Sequence, residues 1–178
     1  LRIPSHATVW GDYAGRNSYQ SDDARAKAAF VGEMTRAVQP ALLFDIGCNS
    51  GDYSKAALEN GAARVVGFDF DHAALEVAHD RARQENLAFL PLWLDAANPS
   101  PSQGWAQGER KGFGDRASAD ALVALAFIHH IAIGRNVPLD MGTAWLVSPA
   151  PQGVVEFPQQ SDPKVQTPAS QRTDIFPG

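Results

Sequence analysis

The sequence predicts an α/β domain with a doubly wound, mostly parallel sheet. Short apolar, β-rich segments alternate with helix-forming segments along the chain, which is the pattern of strands connected by crossover helices. Three of these strands are followed by an acid or a glycine turn, so polar groups collect at the carboxyl edge of the sheet, where such folds bind ligands. With 178 residues, 44% of them hydrophobic, the chain can build one domain around its own core.

The elements are predicted in the order helix, then alternating strands and helices. A helix capped near Ser21 is expected over 22–38, and Pro40 separates it from the first strand. Pro138 and Pro149 bound the second part of a helical stretch near the end of the chain. Hydrophobic periodicity predicts, in order, strand 41–46, helix 52–60, strand 64–69, helix 71–85, strand 88–93, strand 120–127 and strand 153–157.

The turn after the first strand is the strongest indication of a ligand site. Gly47 has no Cβ and can adopt a positive φ, so a nucleotide-like group can lie against the main chain there. The dinucleotide pattern G-x-G-x-x-G fails, because Asn49 and Asp52 stand where its second and third glycines belong. A carboxylate at a helix N-terminus disfavours a pyrophosphate and suits a cationic ligand.

Acids also end the next two predicted strands. Asp69 lies 22 positions after Gly47, near the ~20-residue offset at which nucleotide-binding folds place a ribose-binding carboxylate. Asp69 is alternatively the N-cap of the following helix, and Asp71 is an equally good cap. The third strand ends at Leu94 and Asp95.

The segment Asp45-Ile46-Gly47-Cys48-Asn49-Ser50-Gly51 resembles motif I of the class I S-adenosylmethionine-dependent methyltransferases. The resemblance implies a Rossmann-like class I methyltransferase fold, apparently without its last strands because the chain stops soon after the fifth. It also implies S-adenosylmethionine as cofactor, with Asp69 on the ribose and Asp95 near the adenine. The implied cofactor-binding residues are Tyr19, Asp45, Gly47, Cys48, Asn49, Gly51, Asp69, Phe70, Leu94 and Asp95.

A closer resemblance covers nearly the whole chain. It is to the methyltransferase domain of proteins related to the rhizobial nodulation host-specificity protein. Residues 1–40 would then be an aromatic segment and leading helix that cover the cofactor, and 41–178 a C-terminally incomplete core. The residues that carry this resemblance include Trp10, Asn17-Ser18-Tyr19, Lys27, Asn98-Pro99-Ser100-Pro101, Gly104-Trp105, Ile128-His129-His130, Asn136-Val137-Pro138-Leu139-Asp140 and Glu156-Phe157.

Two adjacent histidines follow the fourth predicted strand, where methyltransferases of this class place catalytic groups. His129 is the candidate general base, since histidine titrates near neutral pH, and a structural role is an equal alternative. Successive side chains diverge, so at most one histidine faces the cleft. The connection 95–118 is long enough to be a functional flap. Predicted acceptor-binding residues are Tyr13, Asn98, Trp105, His130 and Glu156.

Composition excludes several other functions. A net charge of −5 argues against a dedicated nucleic-acid binder. The single cysteine, Cys48, rules out a disulfide framework and is expected to be a packed side chain. No metal site or membrane span is predicted, and the cytoplasm is the expected location. The expected function is methyl transfer to a hydroxyl or amine of a small-molecule or carbohydrate-like acceptor. A non-catalytic cofactor-binding domain and an NAD-dependent oxidoreductase are the alternatives.

Overall fold

A computed structural model describes residues 18–157, with side chains described from residue 22 onward. The five strands of this part are β1 (Leu43–Ile46), β2 (Val65–Asp69), β3 (Phe89–Trp93), β4 (Ala121–Ala124) and β5 (Gly153–Val155). The helices are α1 (Ser18–Val38), α2 (Asp52–Glu59), α3 (His72–Gln84), α4 (Phe113–Arg116), α5 (Ile128–Ala132) and α6 (Leu139–Val147). None of these helices is long and apolar enough to cross a membrane.

The strands form one sheet in the order β3-β2-β1-β4-β5, and all four pairings between the described strands are parallel. β1 is central, with Leu43 in register with Val65 on one side and Ala121 on the other. The chain runs outward from β1 to β3 and then returns to β4 on the other side of β1. This reversal opens a crevice at the carboxyl ends of β1 and β4, where open α/β sheets bind ligands. The predicted Rossmann-like fold is confirmed.

Helices cover both faces of the sheet because side chains alternate along each strand. Leu43 belongs to an apolar cluster that includes Val31 of α1 and Ala57 of α2. The next residue, Phe44, belongs to a second cluster that includes Leu146 of α6. The two clusters make the layered core of a doubly wound domain, with α1, α2 and α3 on one face and α4, α5 and α6 on the other.

Two predicted boundaries are wrong. α1 begins at Ser18, so the polar residue Ser21 lies within the helix. The fourth strand was predicted over 120–127 but ends at Ala124, and the apolar residues after it turn into α5. A continuous apolar run does not by itself distinguish a buried strand from a buried helix. Ile128 and Ile131, three positions apart, are both buried on the same side of α5.

The long connection after β3 has structure of its own. Gln103 and Arg110 form an antiparallel bridge that closes a short loop, with Trp105 near its tip and 85% exposed. The connection is anchored at its other end by α4, where the buried ring of Phe113 packs edge-on against Phe68 at 5.5 Å between centroids. The connection therefore has an exposed loop at 103–110 and is held to the core by α4.

Candidate cofactor site and active site

The turn from β1 to α2 has the backbone conformation that its glycines predict. Gly47 and Gly51 adopt φ values of 80° and 82°, and Asn49 between them has a φ of 47°. The N–H groups of Gly47 and Cys48 both donate to the carbonyl of Phe68, at 2.7 and 3.1 Å. These bonds tie the turn to the end of β2, so the turn and Asp69 lie together at the carboxyl edge.

Packing is a second reason why these two positions require glycine. A Cβ on Gly47 would lie 2.8 Å from the ring of Phe127, and a Cβ on Gly51 would lie 2.5 Å from the ring of Phe89. Sequence reasoning explained Gly47 only by its approach to a ligand. It missed the two rings because they come from distant parts of the chain.

Asp69 joins the end of β2 to this turn. Its carboxylate accepts hydrogen bonds from the N–H groups of Asn49 and Asp71, each at 2.9 Å. Burial raises the pKa of Asp69, and the hydrogen bonds from these backbone groups act in the opposite direction. The N-cap of α3 is Asp71, which accepts from the N–H of Ala73 at 2.9 Å. The alternative in which Asp69 caps that helix is therefore wrong.

Asp45 braces the turn from inside the protein. It is 1% exposed, and the hydroxyl of Ser54 on α2 donates to its carboxylate at 2.6 Å. Burial raises the pKa of Asp45 to about 7, against the lowering effect of the Ser54 hydrogen bond and with a further rise from the charge of Asp69. Asp45 thus holds β1 against α2 and titrates near neutral pH.

Asp52 and Cys48 have side-chain partners that limit their chemistry. Asp52 begins α2 and forms a 2.6 Å ion pair with Arg81 of α3. The thiol of Cys48 is buried next to Gly67, and burial raises its pKa. A thiol with a raised pKa is a poor nucleophile, in agreement with the expectation that Cys48 is a packed side chain.

The ends of β2 and β3 expose two aromatic rings side by side. Phe70 and Trp93 are each 55% exposed, and the indole N–H of Trp93 donates to the carbonyl of Phe70 at 3.0 Å. The Trp93 ring also stacks on His72, with 6.0 Å between centroids. Sequence reasoning proposed Phe70 and missed Trp93, whose signal was an aromatic residue at the very end of a predicted strand.

Leu94 and Asp95 continue from β3 into the same edge. The N–H of Leu94, a buried residue, donates to the carbonyl of Asp69 at 2.9 Å. Asp95 accepts from the N–H of Ala97 at 3.0 Å and pairs with Arg135 beyond α5. Asp95 therefore connects the third strand end to the segment after the histidines.

The two histidines lie on α5 and not at a strand end as predicted. Their rings are in contact, with 4.1 Å between centroids, and His129 is the more buried of the two at 8% exposure. Burial, together with a smaller effect of the neighbouring His129, lowers the pKa of His130 to about 4. His130 is therefore neutral at physiological pH. The catalytic role of His129 stays a prediction.

The predicted acceptor residues lie on several separate segments of the chain. Asn98 and Trp105 lie on the connection after β3, whereas Glu156 directly follows β5. The Glu156 carboxylate accepts from the N–H of Ala126 at 2.8 Å and forms a 2.9 Å ion pair with Lys27 of α1. Tyr13 lies outside the described residues, and Tyr19 lies in the first turn of α1, where side chains are not described. Among the described residues, no group of three potential metal ligands occurs.

Comparison with known proteins identifies the family. The family model described as "Methyltransferase domain" matches residues 43–135, from β1 to just beyond α5. The nodulation protein NoeA of Rhizobium meliloti (strain 1021) is 49% identical over 169 residues, which are 95% of this chain and 36% of that protein. The chain thus spans about a third of the length of this relative.

Solved structures share the fold at low sequence identity. The bifunctional kinase-methyltransferase WbdD matches 86% of this chain and 32% of its own, with a TM-score of 0.58 and 19% identity. The [4+2]-cyclase SpnF matches 76% of this chain and 44% of its own, with a TM-score of 0.55 and 20% identity. These matches agree with the parallel five-stranded sheet and its flanking helices. The chain belongs to the methyltransferase domain family.

Proposed function

We propose that the protein transfers a methyl group from S-adenosylmethionine to a hydroxyl or amine of a small-molecule or carbohydrate-like acceptor. The observation that carries the proposal is the junction of Asp69 with the β1–α2 turn, through its 2.9 Å hydrogen bond from Asn49. A carboxylate at that point can accept from ribose hydroxyls. Membership of the methyltransferase domain family supports methyl transfer.

The residues at this edge suit a cationic nucleoside ligand. Asp69 places a carboxylate at this edge, which favours a sulfonium and an ammonium over a pyrophosphate, whereas Asp52 is paired with Arg81. The exposed ring of Phe70 offers an apolar face beside Asp69, where a purine can pack. The bound cofactor would supply an activated methyl group, so the protein mainly has to orient the acceptor and remove a proton.

We assign proton removal to His129 and acceptor contacts to Asn98, Trp105 and His130, together with Tyr13 from the N-terminal segment. α5 begins directly after the Leu125–Phe127 turn, and the ring of Phe127 lies next to Gly47. The histidines are therefore on the element beside the β1–α2 turn (45–51), which we call the cofactor turn. The centroids of the two rings lie 4.1 Å apart, so a change at either histidine is felt by the other. A cytoplasmic location belongs to this proposal, because the cofactor is an intracellular metabolite.

The experiment is methyl transfer from S-adenosylmethionine with a tritiated methyl group. The protein is incubated with a panel of hydroxyl- and amine-bearing saccharides and small amines, and product radioactivity is counted. We expect incorporation that needs the protein and stops on addition of S-adenosylhomocysteine. Binding of the cofactor with no incorporation in any acceptor would favour the alternative of a non-catalytic cofactor-binding domain.

A further inference from the structure

Glu156 connects three parts of the chain that are distant in sequence. Its main-chain N–H donates to the carbonyl of Ala124 at 3.0 Å, which extends the pairing of β5 with β4. Its carboxylate accepts from the N–H of Ala126 at 2.8 Å and pairs with the ammonium of Lys27 at 2.9 Å. Glu156 therefore holds the end of β4, the turn after it and helix α1 at one point.

The ion pair with Lys27 is shielded from solvent. The side chains of Lys27 and Glu156 are 18% and 26% exposed, and Lys27 also pairs with Asp23 at 2.8 Å. Burial opposes the charge of Lys27, but hydrogen bonds and charge interactions with Asp23 and Glu156 raise its pKa above the ordinary value. The lysine remains charged at physiological pH, and a shielded pair is screened by salt less than an exposed one.

The turn that Glu156 holds has an unusual backbone. Ala126 adopts a φ of 51°, in the left-handed region that residues with a Cβ rarely occupy. The next residue, Phe127, begins the passage into α5 and fills the space beside Gly47, where a Cβ would lie 2.8 Å from its ring. The hydrogen bond from the N–H of Ala126 to the Glu156 carboxylate stabilises this conformation next to the cofactor turn.

We propose that Lys27 and Glu156 are a positioning pair, which fixes the Leu125–Phe127 turn under helix α1 and thereby keeps Phe127 packed against Gly47. Through this pair, the position of α1 affects the conformation of the cofactor turn. Its effect on ligand affinity rests on the proposed function, whereas its effect on the turn does not. The sequence analysis predicted that Glu156 binds the acceptor. In this proposal Glu156 instead positions the Leu125–Phe127 turn.

Hydrogen exchange of the Ala126 amide tests the turn directly. In Glu156→Ala this amide loses its acceptor, and we expect exchange at least about tenfold faster than in the wild type. In Glu156→Gln the side-chain oxygen still accepts, so exchange should stay within about threefold of wild type. Glu85→Gln, which removes an acid paired with Lys55 at 2.6 Å elsewhere on the surface, is the matched control. An unchanged Ala126 amide in Glu156→Ala would overturn the proposal.

Calorimetric titration with S-adenosylhomocysteine tests the coupling to the site. Glu156→Ala should weaken binding about three- to tenfold and Lys27→Met by no more than that, and the double variant should be no weaker than Glu156→Ala, because Lys27 acts through Glu156. Lys55→Met should bind as the wild type does. Additive losses, or none, would contradict the coupling. A wild-type protein that binds no S-adenosylhomocysteine would refute the proposed function, and the exchange of Ala126 would still decide the positioning role.

Discussion

At the scale of single residues, the acids of the site differ in what surrounds them. Asp69 accepts two backbone hydrogen bonds at the edge of the sheet, whereas Asp45 is buried with one hydroxyl donor. Asp52 is neutralised by Arg81. Asp45 therefore stabilises the turn, Asp52 links α2 to α3, and Asp69 is the carboxylate proposed to contact the ligand.

The buried carboxyl of Asp45 should make stability depend on pH. Its pKa is about 7 in the folded protein and near 3.9 in an unfolded chain, so the folded state holds this proton more tightly. The free energy of unfolding should fall as pH rises from about 4 to 7 and level off above 7. Asp45→Asn removes this dependence and should exceed the wild type by roughly 2–4 kcal/mol at pH 8, with little difference at pH 4.

Urea denaturation of both proteins across this range measures the effect. The difference between the two free energies of unfolding is the informative quantity, because the other carboxyl groups titrate in both proteins. A difference that does not change between pH 4 and pH 8 would show that Asp45 titrates normally.

Substitutions of His129 and His130 should have different effects on kcat and KM once an acceptor is known. His129→Ala is expected to lower kcat by about 10²–10⁴-fold if His129 removes the proton from the acceptor, with little change in cofactor affinity. His130→Ala should affect KM for the acceptor more than kcat. A folded His129→Ala protein with normal kcat would assign His129 a structural role.

At the scale of elements, the caps and turns explain where helices begin. α3 begins at His72 because Asp71 accepts from the N–H groups of Ala73 and Ala74, at 2.9 and 3.4 Å. α2 begins after Gly51, whose positive φ lets the chain leave the cofactor turn. Both starts are determined by residues within the turn itself.

Replacing the cap of α3 should cost stability. Asp71→Ala leaves the first N–H groups of the helix without their acceptor, and we expect a loss of about 1 kcal/mol in the free energy of unfolding. Asp80→Ala, an exposed acid on the same helix, is the control and should change stability by less than about 0.5 kcal/mol. Equal losses in both variants, measured by urea denaturation, would argue against the capping role.

The sequence predicts an element well where its signals are local. β1, α2, β2, α3 and β3 were each predicted to within one or two residues, because alternation, caps and glycine turns lie within the elements. The end of β4 was missed, since the apolar run 121–128 contains no polar residue to mark the turn at Ala126. The contacts of Glu156 with Lys27 and of Phe127 with Gly47 depend on tertiary packing, which no local pattern reports.

At the scale of the whole molecule, the strand order explains why the site lies where it does. β1 and β4 are neighbours in the sheet, but their connections leave in opposite directions, so their carboxyl ends are not covered by a crossover helix. Lys27 of α1 reaches the segment after β5 at this edge through its ion pair with Glu156. We expect an acceptor to bind at this opening and to contact the connection after β3.

We expect the segments that are predicted to contact the acceptor to become ordered when ligands bind. Amides of 98–110 and of the N-terminal segment around Tyr13 and Tyr19 should become protected from hydrogen exchange when S-adenosylhomocysteine and an acceptor are present together. Amides of α4 should change little, because Phe113 already anchors that helix. Protection confined to 45–52 and Asp69 would mean that the acceptor pocket lies elsewhere.

The central claim is that the turn 45–51 and Asp69 bind S-adenosylmethionine, and calorimetric titration with S-adenosylhomocysteine and with NAD tests it most directly. We predict binding of the first ligand and none of the second. Asp69→Ala should weaken S-adenosylhomocysteine binding by about 1.5–3 kcal/mol, roughly ten- to hundredfold, while Asp80→Ala binds as the wild type does. Binding of NAD, or an affinity for S-adenosylhomocysteine that is unchanged in Asp69→Ala, would contradict the account.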